Sequence, residues 1–260
     1  MKDRNADEAT LPRLGEPPLP ATPACLFLDV DGTLVEFALR PDGVAVDETL
    51  IRLLRGALRV TRGALAFVSG RPVAQLDRLF APLRLPTAGV HGCERRDASG
   101  AWHRTADPDA RLIEARNMLE SLTPPTSGVF IEDKGSALAV HYRSAPQWKS
   151  RVRAVMSRLA QTLLPDYELL DGNAVFELKL RSCSKAAAIE AFLAEAPFAG
   201  RTPVFLGDDA TDCDGFEAVR GHGGIAIAVG DRVSADWRLA DPHAVRSWLQ
   251  RFVEHCGAAS

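Results

Sequence analysis

Two short stretches of this chain are apolar without alternation, and each stops at a cluster of carboxylates. Ala24 to Leu28 runs into Asp29-x-Asp31-Gly32-Thr33, and Pro203 to Leu206 runs into Gly207-Asp208-Asp209-Ala210-Thr211-Asp212. An apolar run of this length, bounded by turn residues, reads as a strand buried on both faces, the kind found in parallel sheets. Ligands of open α/β sheets bind outside the carboxyl ends of such strands. The chain must therefore bury both runs in one sheet and find a use for the acids at their ends.

Helical spacing fills the intervals. Apolar residues at Val46, Leu50, Leu53, Leu54 and Leu58 predict a helix over 46–60. Ala64 to Val68 predicts a second buried strand, stopped by Ser69-Gly70-Arg71-Pro72, with a helix over 73–80 behind it. Thr87 to Gly92 predicts a third strand, and Asp97-Ala-Ser-Gly100 a turn between hairpin arms. The alternation resumes with a helix over 185–194, a strand over 203–206, a short helix over 216–220, a strand over 225–229 and a closing helix over 243–255. Residues 105–182 differ. They carry a helix marked by Leu112, Ala115 and Leu119, an alternating strand at Ala137, Ala139 and His141, a helix over 147–163, and strands over 167–170 and 174–180. The expected fold class is α/β: a doubly wound parallel-sheet core over 24–105 and 183–260, interrupted by an α+β cap over 106–182. A charged, Pro-rich segment over 1–23 reads as a disordered leader rather than a signal peptide.

Composition excludes several functions. The 260 residues carry a net charge of −3 and a pI near 6.1, which leaves no basic footprint for nucleic acid. No apolar run approaches the ~20 residues a membrane span requires. Cys25, Cys93, Cys183, Cys213 and Cys256 are scattered, odd in number and form no C-x-x-C pair. Neither a disulfide framework nor a zinc site is therefore expected, and a reducing, cytoplasmic compartment fits.

If the two acid-tipped strands are neighbours, up to five carboxylates converge, at Asp29, Asp31, Asp208, Asp209 and Asp212. Like charges at ~4 Å repel by several kcal/mol at an effective dielectric near 20, so such a cluster calls for a cation. An all-oxygen ligand set favours Mg2+ over zinc. Residues i and i+2 of an extended chain point the same way, so Asp29 and Asp31 can reach one substrate together. One carboxylate can attack phosphorus while the other handles protons. Attack by an anion on a phosphate dianion needs neutralising charge, which Mg2+ and a lysine supply.

In order along the chain, Asp29-x-Asp31-Gly32-Thr33, Ser69-Gly70-Arg71, Ser184-Lys185 and Gly207-Asp-Asp-x-Thr-Asp212 resemble the four motifs of the haloacid dehalogenase superfamily. The finer pattern is similar to trehalose-6-phosphate phosphatases, in Gly89-Val-His-Gly-Cys-Glu94, in Ile131-Glu-Asp-Lys-Gly-Ser-Ala-Leu-Ala-Val-His-Tyr-Arg143 and in Glu177-Leu-Lys179. The resemblance implies a Mg2+-dependent hydrolase that splits trehalose 6-phosphate into trehalose and phosphate. Asp29 would be the nucleophile and Asp31 the general acid and base. Ser69 and Lys185 would hold the phosphoryl oxygens, with Thr33, Gly70 and Arg71 around the substrate. The metal would be bound by Asp29, the backbone carbonyl of Asp31 and Asp208, supported by Asp209 and Asp212. Glu132, Lys134, Arg143 and Glu177 of the cap would meet sugar hydroxyls. The implied partner is a small sugar phosphate, with a functional link to a trehalose-6-phosphate synthase. A related phosphatase of sucrose 6-phosphate or mannosyl-3-phosphoglycerate, a sugar phosphotransferase, and a weakly catalytic regulatory subunit are the alternatives. The chain departs from the family pattern at Cys213, where Glu is usual, at Ala186 for Gly and at Leu180 for Pro.

Taken singly, several of these residues have plainer readings. Asp29-x-Asp31-Gly32 alone could be a turn, and Ser69 alone a helix cap. His91 reads as structural, because the proposed chemistry does not need it. Arg95-Arg96 reads as a solvated charge pair, and Trp102, Trp148, Trp237 and Trp248 as packing residues.

Overall fold

Alternate residues of the first strand, β1 (Ala24–Leu28), enter two different cores. A computed structural model describes residues 16–20, 23–38, 43–105 and 109–258 of the chain. Leu26 and Leu28 pack with helices α1 (Glu48–Val60) and α7 (Pro242–Ala258), together with Leu206 and Ile227. Cys25 and Phe27 pack on the opposite face with α5 (Lys185–Leu193) and α6 (Cys213–Gly221). Period-two strand geometry thus covers both faces of the sheet, which is why its strands read as continuous apolar runs.

The sheet has eight strands in the order β12-β11-β10-β1-β2-β3-β4-β5. Here β2 is Leu65–Val68, β3 Thr87–Gly89, β10 Thr202–Gly207, β11 Ile225–Val229 and β12 Trp237–Leu239. These pair in parallel, while β4 (Glu94–Arg96) and β5 (Trp102–Arg104) add an antiparallel edge through the expected hairpin. The third strand is shorter than expected, because Val90–Gly92 leaves it as a 3-10 turn. The edge strand β12 carries too short a signal to stand out in the sequence. Helix α2 (Val73–Leu79) follows β2 as expected.

A second, antiparallel sheet lies between the two halves of the core sequence, in the order β6-β7-β9-β8. Its strands are β6 (Phe130–Asp133), β7 (Ala137–His141), β8 (Tyr167–Gly172) and β9 (Val175–Leu180). Leu138, Val140, Phe176 and Leu178 pack against α3 (Ala110–Leu122) and α4 (Lys149–Thr162). The expected alternation in β7 is not reflected in its burial: Ala137 to Val140 are all buried, because helices cover one face and the core domain the other. Residues 106–108, where the core-to-cap boundary was expected, lie outside the described residues.

Four further expectations need correcting. Cys93 and Cys183 form a disulfide with Cα atoms 5.0 Å apart, leaving Cys25, Cys213 and Cys256 free. Cysteine spacing carries no signal for a pair 90 residues apart. Arg95 and Arg96 are buried, not solvated, because adjacent β4 residues face opposite helical layers. Arg95 grips Glu195 with two bonds of 2.8 Å, and Arg96 grips Asp77 at 2.6 and 2.8 Å. Trp102 is exposed on the edge strand, whereas Trp248 is fully buried. Part of the leader is ordered, since Leu19 packs on the core and the carbonyl of Pro17 accepts a bond from Trp248 Nε1 at 3.2 Å. Residues 1–15 and 21–22 of that leader lie outside the described residues. Among the described residues no helix is long and apolar enough to cross a membrane.

Candidate active site

β1 and β10 are neighbours, with Leu28 beside Leu206, so the two acidic clusters emerge together at the carboxyl ends of the central strands. Ligand atoms of Asp29, Asp208 and Asp212 all lie within 4.8 Å of one another, and all three residues are buried. Lys185 opens α5, whose N-terminus is capped by Ser184 accepting a bond from Ala187 N. Its Nζ lies 3.0 Å from Asp29 Oδ1 and 2.6 Å from Asp212 Oδ1. Burial pushes the Asp29 carboxyl well above the usual range, reinforced by Asp212, Asp208 and Asp209 and opposed by Lys185. Burial, then Asp212 and Asp209, push Asp208 up to about 7. Lys185 stays protonated despite its burial, because Asp212 and Asp29 raise its pKa further.

One lysine does not balance three carboxylates, and the deficit draws in Arg232, which follows β11 and pairs with Asp208. A close-set, oxygen-only, buried donor set with surplus negative charge fits a hard divalent cation. Gly32 is essential to this packing: its φ is 82°, and a Cβ there would stand 2.3 Å from Asp208 Oδ2.

The remaining core residues shape the loops. Arg71 clamps Asp31 through bonds of 2.6 and 2.7 Å, so its guanidinium orients the carboxylate beside Asp29. Arg71 N donates to Ser69 Oγ at 3.2 Å, which ties the Ser69 turn to the same clamp. Thr33 Oγ1 donates to Asp208 Oδ1 at 3.5 Å. Asp212 Oδ2 accepts from the backbone N–H groups of Asp208 and Asp209 at 2.9 and 3.0 Å. Asp209 turns to Thr211, accepting from its N and Oγ1. Of the five carboxylates expected to converge, the structure therefore gathers Asp29, Asp208 and Asp212, while the side chains of Asp31 and Asp209 are held by Arg71 and Thr211; the metal role expected of Asp31 concerns its backbone carbonyl. Cys213 is exposed at the start of α6.

Across the cleft, the sheet register sets Glu132 opposite Ala139 and Ala139 opposite Glu177. Two carboxylates thus flank one small residue on the face turned to the core. Glu132 accepts from Gln75 Nε2 at 2.6 Å and sits 2.9 Å from His141 Nε2. Lys134 Nζ donates to Glu177 Oε2 at 2.9 Å and to the carbonyl of Gly70 at 3.0 Å, joining the antiparallel sheet to the loop after β2. Burial alone would raise the Glu177 carboxyl, but Lys134 and then His91 hold it well below the usual range. Arg143 donates to the carbonyl of Asn173 and lies 5.0 Å above the Phe37 ring, which Arg232 also approaches at 4.6 Å. A cavity of about 140 Å³ joins Asp29, Ser69 and Lys185 to Glu132, Lys134 and Glu177. A second, of about 520 Å³, shares His91, Asn173 and Lys185 with the first. Sequence reasoning missed Gln75, His141, Arg232 and Phe37, whose roles arise only from contacts between distant segments.

Residues 27–243 match the trehalose-phosphatase family. The chain belongs to that family. It is 44% identical over 225 residues to trehalose-6-phosphate phosphatase of Escherichia coli, covering 86% of this chain and 84% of that one. It is 41% identical over 215 residues to a probable trehalose-phosphate phosphatase of Sinorhizobium fredii, covering 82% and 80% respectively. The solved structure of a trehalose-6-phosphate phosphatase related protein superposes with a TM-score of 0.76 at 25% identity, over 91% of this chain and all of that one. The C-terminal domain of the Candida albicans enzyme superposes at 0.79 and, at 22% identity, supports the fold alone. Membership of this trehalose-phosphatase family makes the chain a phosphatase, a hydrolase of phosphoric monoesters.

Proposed function

We propose that this phosphatase hydrolyses trehalose 6-phosphate to trehalose and phosphate through an aspartyl-phosphate on Asp29, with Mg2+ as cofactor. The observation that carries the reading is one continuous cavity, with Asp29 and Lys185 at its core end and Glu132, Lys134 and Glu177 at its cap end. An Asp29 oxygen bonds to phosphorus as the bond from phosphorus to the sugar oxygen breaks, and Asp31 protonates the departing oxygen. Asp31 then takes a proton from water, which attacks the same phosphorus and frees Asp29 and inorganic phosphate. Arg71 keeps Asp31 aimed for both transfers. Lys185 and Ser69 meet the phosphoryl oxygens, flanked by Thr33 and Gly70. Asp29, the Asp31 carbonyl and Asp208 would hold Mg2+, with Asp209 and Asp212 shaping its loop. The ion supplies charge neutralisation for the transferred group.

The cap residues Glu132, Lys134, Arg143 and Glu177 suit a sugar, whose hydroxyls both donate and accept. We assign them to the cap over 106–182. Phosphate release from trehalose 6-phosphate, sucrose 6-phosphate, mannosyl-3-phosphoglycerate and para-nitrophenyl phosphate, with and without Mg2+, tests the reading. It expects Mg2+-dependent release with the highest kcat/KM on trehalose 6-phosphate. Preference for another member of the panel, or full activity after chelation, overturns it.

A further inference from the structure

His91 sits on the most strained stretch of backbone in the cleft. Val90, His91 and Gly92 have φ of 48°, 56° and 95°, three successive residues in the left-handed region. A β-branched residue such as Val90 avoids that region, and strain of this kind persists where the surrounding structure imposes it. Here the elbow is fixed on both sides. Val90 N donates to the carbonyl of Arg71 and His91 N to that of Ser69, both at 3.0 Å. One residue after Gly92, Cys93 is bonded to Cys183.

The elbow delivers an imidazole that is only 7% exposed, and among the described residues neither of its ring nitrogens has a hydrogen-bond partner. The nearest charged group is Glu177, whose Oε2 lies 3.5 Å from His91 Nε2, longer than an ordinary hydrogen bond. Glu177 Oε1 is likewise buried and, among the described residues, makes no hydrogen bond. The ring packs against Gly70, where a Cβ would stand 2.8 Å from its Nε2, so the neighbouring chain leaves space for the ring. His91 also lines both cavities of the cleft. Buried polar groups are rarely left without a hydrogen bond, so the ring nitrogens and Glu177 Oε1 hold bonding capacity that the described residues do not use.

We propose that His91 is a substrate-binding residue that, together with Glu177 Oε1, holds hydroxyl groups of the sugar. This rests on the reading of the substrate as a sugar phosphate. The two imidazole nitrogens offer hydrogen-bonding positions toward hydroxyls, and a carboxylate oxygen offers an acceptor, a set that matches neighbouring hydroxyls. A phosphoryl group at this point would face the Glu177 carboxylate, whereas a hydroxyl can donate to it. The phosphate therefore belongs at the Lys185 end and the polyol at His91.

The test compares wild type, His91→Asn and His91→Gly on trehalose 6-phosphate and on para-nitrophenyl phosphate, with thermal melts alongside. Both replacements tolerate a left-handed backbone, so the elbow survives while the imidazole is lost. The loss in kcat/KM on the sugar phosphate should exceed the loss on the aryl phosphate by about tenfold, carried mainly by KM. Free trehalose should inhibit each folded variant correspondingly more weakly. If His91→Asn does not fold, His91→Gly carries the same comparison. Equal losses on the two substrates, or none on either, overturn the role of His91 and leave the phosphatase reading standing. Wild type active on the aryl phosphate but on no sugar phosphate overturns both.

Discussion

At the core end of the cleft, three buried carboxylates are met by one buried lysine and by Arg232, which pairs with Asp208, so negative charge is still in surplus; at the cap end, each carboxylate has its own partners. Asp29, Asp208 and Asp212 crowd together around Lys185, and burial with mutual repulsion raises both Asp29 and Asp208. Glu132 meets Gln75 and His141, and Glu177 meets Lys134, so both carboxyls stay below the usual range. The difference separates two kinds of site. The core end is short of positive charge and stays so until a cation arrives, as phosphoryl transfer requires. The cap end is balanced in advance and offers directional hydrogen bonds, as recognition of a neutral polyol requires.

Breaking the core end should have the largest effect. Asp29→Asn is expected to lower kcat by at least ~10³-fold on every substrate, because it removes the attacking oxygen itself. Circular dichroism should show the variant folded, since a neutral amide relieves the repulsion around Asp208 and Asp212. Retained turnover would refute the covalent route. Breaking the cap end should have a smaller and selective effect. Glu132→Gln and Glu177→Gln are expected to cost about 10- to 100-fold in kcat/KM on the sugar phosphate, and several-fold less on para-nitrophenyl phosphate. Equal losses on both substrates would erase the distinction between the two ends.

The charge deficit of the core end also predicts a pH dependence of stability. A carboxyl whose folded pKa lies above its unfolded value of ~3.9 binds more protons in the native state, so stability falls as pH rises between the two values. For Asp208, raised to about 7, that window runs from about 4 to about 7. The melting temperature of metal-free protein should therefore fall from pH 5 to pH 8, at a slope of up to about 1.4 kcal/mol per pH unit for each such proton. Mg2+ binds the ionised cluster, so it should raise the melting temperature more at pH 8 than at pH 5.5. An equal Mg2+ shift at both pH values would show that the cluster does not take the ion.

The two ends also differ in how far the sequence reveals them. The core end is built from contiguous motifs: Asp29 and Asp31 lie two residues apart, Asp208 to Asp212 lie within one turn, and both follow runs whose burial is visible as unbroken apolarity. Strand adjacency was the only missing step, and it follows from the fold class. The cap end depends on register. Glu132, Ala139 and Glu177 form one row across three strands, and β6, which supplies Glu132, gives no strand signal of its own. The partners Gln75 and His91 come from the core, so their roles exist only after the two layers meet. Arg95 and Arg96 misled for a related reason: adjacent charges usually face solvent, but here each finds a carboxylate on a different helical layer.

The junction between the two ends yields the prediction with the smallest expected effect on turnover. The Cys93–Cys183 disulfide joins the residue just before β4, in the eight-stranded sheet, to the segment by which the chain returns to that sheet's domain, closing a loop of 90 residues that holds β4, β5 and the antiparallel sheet. Cys93 follows the His91 elbow, and Cys183 precedes Ser184 and Lys185, so the bond connects the bases of the cap and core halves of the cleft without touching the reacting groups. Thiol titration of the denatured, unreduced protein should find the three cysteines Cys25, Cys213 and Cys256 rather than five. Closing a loop of this length restricts the unfolded chain, so Cys93→Ser should lower the melting temperature by roughly 5–10 °C. Turnover of trehalose 6-phosphate at 25 °C should change by no more than about threefold, because the cap is also held by Lys134 on Gly70 and by Gln75 on Glu132. A larger loss confined to the sugar phosphate would mean that the bond sets the spacing between core and cap. The two ends of the cleft would then act as one unit, and the contrast between them would concern charge alone.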